Sequence, residues 1–221
     1  MKNEFIKLVQ SLDPLFPIGG FTLSNGMETY VQNNSVYDEK TLVKHLKSYL
    51  YILSFNELAF AALAYKGHDI KRLDMLCSAY RAPMELRNGS VKQCMRFLKL
   101  HSELGSYPKI NEYLKLIRMG ECEGHYSIAM GLFIKDLDID LEESLELYCY
   151  NIISSMTNHA AKLVPLRQLD AQRALMTAAE GISQAVGTAV NVTEDELGAS
   201  GTGFDLSSMR HERLYSRIYI S

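Results

Sequence analysis

The sequence predicts an all-α protein, a single-domain bundle of roughly nine or ten helices, and three observations carry that reading. Five prolines (Pro14, Pro17, Pro83, Pro108 and Pro165) divide 221 residues into long blocks with few interior breakers. Within most blocks the apolar residues recur with the 3.6-residue period of a helix. Turn-forming pairs do not sit between alternating apolar and polar runs, so hairpin signals are nearly absent.

The blocks follow in order. Phe5, Leu8, Val9 and Leu12 form an apolar stripe that stops at Asp13-Pro14. After a turn-rich stretch at 14–20, Ser24 is placed to cap a short helix carrying Met27, Tyr30 and Val31. Residues 38–65 put Leu42, Leu46, Tyr49, Leu50 and Leu53 on one face and stop at Gly67. The second half, 58–65, is apolar all round, the pattern of a helix inside a bundle. Helical blocks continue at 70–80, 83–104 (ended by Gly105), 108–118 and 122–135. Asp140 and Glu143 have capping-box spacing and open a helix to Lys162, before Pro165. Residues 166–190 are alanine-rich and helical. A glycine-, serine- and acid-rich loop at about 193–204 leads to a tail at about 205–221. The tail starts as a short helix and ends in alternating Tyr215, Arg217 and Tyr219.

Composition narrows the function. At 221 residues the chain fits one domain (1–221) that buries roughly 70% of its unfolded surface, so no metal or disulfide staple is needed. Twenty-three basic against 26 acidic residues gives a net charge of −3, with no surplus for gripping a phosphate backbone. No nucleic-acid partner is therefore expected. The longest apolar run, 58–65, is too short for a bilayer, and Met1-Lys2-Asn3-Glu4 does not open a secretory signal. Cys77, Cys94, Cys122 and Cys149 form no CxxC pair. These features predict a reduced, cytoplasmic chain without a membrane partner.

Little in the sequence resembles catalytic machinery. Thr22-Leu23-Ser24-Asn25-Gly26 is a relaxed form of the G-x-S-x-G turn, but its first glycine is missing and no strand precedes it. Ser24 reads as a helix cap. Cys122 and His125 lie three apart, so on one helix they would face one way and could hold a metal. With Glu121 or Glu123 as the only local third ligand, a buried thiol and a hydrogen-bonded histidine are the competing reading. There is no H-E-x-x-H and no Walker loop. No catalytic residue and no stably bound cofactor are expected. The tail is harder to dismiss, because Met209, Arg210, His211, Glu212, Tyr215, Ser216 and Arg217 follow a glycine-rich loop. Arg and Tyr dominate interface hot spots. Two readings stay open: a segment ordered by a partner, and a terminal helix packed back on its own domain. Burying the Arg210-His211-Glu212 cluster requires paired charges, and partners from another chain are the expectation.

Four segments, in order and spanning nearly the whole chain, resemble the UreF-type urease accessory proteins. They are 16–30 (FPIGGFTLSNGMETY), 82–87 (APMELR), 162–172 (KLVPLRQLDAQ) and 208–221 (SMRHERLYSRIYIS). The resemblance implies an all-helical, non-catalytic homodimer acting in urease maturation. It implies binding to a UreD/UreH-type accessory protein and joint recruitment of the UreG-type GTPase, with nickel delivered to apo-urease by the complex. Regulation of GTP hydrolysis is compatible with this role. The resemblance further implies that the tail orders on the UreD/UreH-type partner, that Ser216-Arg217 matches a position linked to GTPase recruitment, and that Gly19, Gly20 and Phe21 lie at a second recognisable surface. The alternative of a different class is a direct nickel metallochaperone using Cys122 and His125.

Overall fold

The computed structural model describes residues 2–20, 23–199 and 201–219. Among them are twelve α-helices and no strand, so the all-α reading holds. The excess over nine or ten has a local cause. Two blocks read as single helices are each broken once, at Asn56 and at Gly181.

α1 (Lys2–Leu12) buries Leu8 and Leu12 and meets α8 and α9, while Phe5 and Val9 of the same stripe stay partly in solvent. α2 (Met27–Gln32) is not capped by Ser24. Asn25 and Gly26 both adopt left-handed backbone (φ 51° and 78°), which moves the cap position to Gly26. The Ser24 hydroxyl is buried without a hydrogen-bond partner among the described residues. α3 (Glu39–Phe55) opens on a reciprocal box: the Asp38 carboxylate accepts the Thr41 amide at 2.8 Å, and the Thr41 hydroxyl accepts the Asp38 amide at 3.0 Å. At Asn56 (φ −124°, ψ −104°) the chain leaves helical geometry, and α4 (Glu57–Lys66) starts in a new direction. The freed Phe55 carbonyl accepts the amide of Gly198 from the far end of the chain at 3.0 Å.

α5 (Ile70–Tyr80), α6 (Met84–Leu104), α7 (Pro108–Arg118) and α8 (Tyr126–Leu137) form one side of the bundle. α9 (Leu141–Leu163), α10 (Gln168–Ala179) and α11 (Ile182–Ala189) form the other with α3. α4 is buried from Leu58 through Ala64, as its apolar run predicts, and α8 is buried over most of its length. These two helices cross so closely that a β-carbon on Gly131 would overlap the Ala61 carbonyl oxygen. α9 runs past α1, α2, α3, α4, α8, α10 and α11. Residues 194–196 form a 3-10 turn inside the segment read as a loop, and α12 (Thr202–His211) begins three residues earlier than the sequence suggested.

The core contains a buried histidine with a pH consequence. The His101 ring lies 4.2 Å from Phe133, 4.4 Å from Phe97 and 5.3 Å from Phe16, centroid to centroid, and Ser11 Oγ is 3.1 Å from its Nε2. Burial pushes this imidazole down to about 4 from an ordinary 6.5. Between those values the unfolded chain binds a proton that the folded chain refuses, so stability rises with pH across the window. Acidifying from pH 6.5 to 4 is expected to cost of order 3 kcal/mol through His101 alone. In urea titrations His101→Phe should reduce the slope of stability with pH, leaving the share of the other buried histidines, His45 and His125, and an unchanged slope would refute the assignment.

Candidate partner-binding site

The tail folds back on its own bundle, one of the two readings the sequence left open. α12 packs on α2 and α6. Phe204 anchors its first turn against Tyr49, ring centroids 5.0 Å apart. One turn later Ser208 lies over Gly26, where a β-carbon would come within 2.7 Å of the serine hydroxyl oxygen. Gly26 thus serves both the left-handed turn and the close approach of α12.

At the end of α12 His211 turns inward and is fully buried. Its Nε2 is 2.8 Å from Glu28 Oε2 and its Nδ1 is 2.7 Å from Glu85 Oε2. Each ring nitrogen thus faces a glutamate carboxylate within hydrogen-bond distance. Beyond it the chain returns to the same carboxylates. The amides of Ile218 and Tyr219 donate to Glu28 at 2.7 and 3.1 Å, and the Arg217 guanidinium donates to Glu85 Oε1 at 2.6 Å. Gln32 Nε2 donates to the Ser216 carbonyl at 3.1 Å. The Tyr219 ring meets His159 edge-on at 4.6 Å. Burial by itself raises the Glu28 carboxyl, but the Ile218 amide, the His211 ring and the Tyr219 amide outweigh it and hold it below the usual range.

This arrangement sorts the tail residues singled out in the sequence. Met209, Arg210, Glu212, Tyr215 and Ser216 face solvent, Tyr215 without any cover, and Arg217 is held at the rim by Glu85. His211 does not; its charge partners are in its own chain, where a second chain was expected. The reason is distance in sequence, since Glu28 and Glu85 lie 183 and 126 positions away. Both glutamates fall inside the resembling segments 16–30 and 82–87, and a glutamate among apolar neighbours in each was the available signal for them. Gly19 has left-handed backbone (φ 81°) against Arg96, which donates to the Ile18 carbonyl at 3.3 Å, and Gly20 approaches Gln93. Phe21 lies outside the described residues. Gly20 and Gln93 line a cavity of about 710 Å³ that Phe204 and Asp205 of α12 also line, so the glycine turn and the tail helix border one space.

Cys122 and His125 are arranged differently from the expectation of one helix. Asp74, buried in α5, accepts the amides of Glu123 and Gly124 at 2.7 and 2.9 Å and the Tyr113 hydroxyl at 2.5 Å. With Gly124 left-handed (φ 96°), this keeps 122–125 out of helical geometry, and α8 starts only at Tyr126. The His125 ring nitrogens are 2.8 Å from Ser78 Oγ and 3.3 Å from Ser90 Oγ. Burial first, then the charges of Arg81 and Arg87, pushes this imidazole down to about 3. The Cys122 thiol is pushed up to about 12, chiefly by burial. A neutral thiol and an imidazole with both nitrogens engaged are poor metal ligands. Among the described residues no group of three His, Cys, Asp or Glu side chains is placed to hold a metal ion. Nor is any helix there long and apolar enough to cross a membrane.

Comparison with known proteins adds to this geometry. Residues 36–179 match the family model UreF. A urease accessory protein UreF of Actinobacillus pleuropneumoniae serotype 5b (strain L20) is 34% identical over 221 residues, covering 97% of each chain. One from Arthrobacter sp. (strain FB24) is 32% identical over 217 residues, covering 98% of this chain and 96% of the relative. One from Haemophilus influenzae (strain PittGG) is 31% identical, covering 97% and 94%.

Proposed function

This chain belongs to the UreF family of urease accessory proteins, and from that premise we propose that it serves urease maturation as a non-catalytic scaffold. Its partners are a UreD/UreH-type accessory protein and, through the joint complex, a UreG-type GTPase and apo-urease. Nickel is cargo of that complex and not a resident ion of this chain. The scaffold works in the cytoplasm as a homodimer. Regulation of GTP hydrolysis belongs to the same contact, since an arginine can stabilise the charge that develops on a transferred phosphoryl group.

The observation that supports this reading best is the seated tail. A buried charge cluster fixes its backbone, while Tyr215, Met209 and Arg210 are presented outward. Aromatic and arginine side chains on a fixed backbone bind without the cost of ordering a free segment. Direct nickel binding through Cys122 and His125 has no comparable support, given the hydroxyls on His125 and the protonated thiol.

Arg217 is the residue through which to test the reading. Its ion pair with Glu85 is partly solvent-exposed and contributes at most about 1 kcal/mol to folding. Arg217→Ala is therefore expected to leave thermal unfolding nearly unchanged while weakening GTPase recruitment by at least about tenfold in a pull-down with the UreD/UreH-type partner. Equal recruitment by variant and parent would count against the tail as the contact.

A further inference from the structure

We infer that Glu28 is the positioning residue of the partner-binding tail, acting through the tail backbone and never touching the partner. The inference rests on the tail being the partner surface and says what holds that surface in shape. Glu28 is 2% exposed, so its carboxylate is out of reach of a second protein. It nonetheless collects three donors from the tail: His211 Nε2 and the amides of Ile218 and Tyr219. Those donors lie at the two ends of the stretch 211–219. Pinning both ends makes the stretch between them an arch, with Tyr215 and Ser216 at its exposed crown.

The division of labour with Glu85 follows from the atoms. Glu85 takes the other nitrogen of His211 and the Arg217 guanidinium, both side-chain donors. Glu28 takes two backbone donors, so it fixes the path of the chain while the side chain of Ile218 remains 73% exposed and free for contact. Only a carboxylate does this. It is acceptor-only and has two oxygens to share among three donors. Glutamine has the same shape, but its amide nitrogen would point an N–H at the incoming N–H groups. With the tail released the carboxylate opens to water, so the seated tail is favoured by the net gain of its charge-assisted hydrogen bonds over solvation.

The test uses full-length Glu28→Gln and, as a change confined to the tail, Ile218→Pro, which deletes one of the donated amide hydrogens. Amide exchange is read in the isolated chain and GTPase recruitment in the presence of the UreD/UreH-type partner. Glu28→Gln should accelerate exchange at Tyr219 and Ile218 by at least about tenfold without changing exchange in α8 and α9, and Ile218→Pro should do so at Tyr219. Recruitment should fall in both variants as it does in Arg217→Ala. Unchanged exchange at Tyr219 in both variants overturns the inference. Accelerated exchange with undiminished recruitment supports Glu28 as the seat and overturns the reading of the tail on which its purpose rests.

Discussion

Cells that carry a urease cluster and are supplied with nickel should lose most urease activity when this chain is deleted. They should regain it with the full chain, and fail to regain it with a chain ending at Glu212. That endpoint is chosen from the contacts. It keeps α12, the Phe204 anchor on Tyr49, Ser208 over Gly26, and His211 between its two carboxylates. It removes the Ile218 and Tyr219 amides, Arg217 and the exposed Tyr215. The bundle should still unfold cooperatively, because among the described residues of the lost segment, 213–219, only Tyr219 is buried. Losing two interface anchors of about 2 kcal/mol each would weaken recruitment by roughly 1,000-fold, enough to abolish activation at cellular concentrations. Urease activity in extracts is the readout. Full restoration by the shortened chain would move the contact away from the tail and toward the Gly19–Gly20 turn.

The largest effect on stability is expected at Gly131. Its α-carbon faces the middle of α4, where a β-carbon would overlap the Ala61 carbonyl. Ala61 is flanked by Phe60 and Ala62, all three buried, so the obstacle is helix backbone and cannot swing aside as a side chain could. Gly131→Ala must separate α4 from α8 and should destabilise the protein by about 3 kcal/mol, the upper part of the range for overpacking. Gly187 provides the control. It lies within α11, and a β-carbon there meets nothing within 4 Å. Gly187→Ala should stabilise by roughly 0.5–1 kcal/mol through helix propensity and the unfolded chain. Urea titrations of both variants settle the pair, and a Gly131→Ala midpoint equal to that of the parent would refute the account.

Most of the helical architecture was legible because it is local. Proline positions and the 3.6 period located nearly every helix, and the apolar run at 58–65 announced a buried helix, which the structure buries from Leu58 through Ala64. What escaped depends on groups far apart in sequence. Nothing near Asn56 forbids a continuous helix; the break there is coupled to a carbonyl satisfied by Gly198. The late start of α8 was hidden because the carboxylate that captures the Glu123 and Gly124 amides belongs to α5. Ser24 lost its capping role to a neighbouring pair of left-handed residues, a choice that propensity does not reveal. At the tail, composition correctly marked an unusual concentration of Arg, His, Met and Tyr. It could not show that His211 points inward while Tyr215 points outward, since that depends on two glutamates in distant helices.

The seat on Glu28 is also a clock. Its carboxylate leaves the ribosome 190 residues before the amide of Ile218 that closes on it. At ordinary elongation rates that interval is roughly 10–40 s, far longer than helices need to form. For that time the nascent bundle carries an open carboxylate where the arch will be. A product terminated early, or clipped in the loop after residue 197, can retain α1 through α11 and still lack the arch. The arch is therefore a late-closing part of the bundle, since its seat is made 190 residues before the amide that fills it.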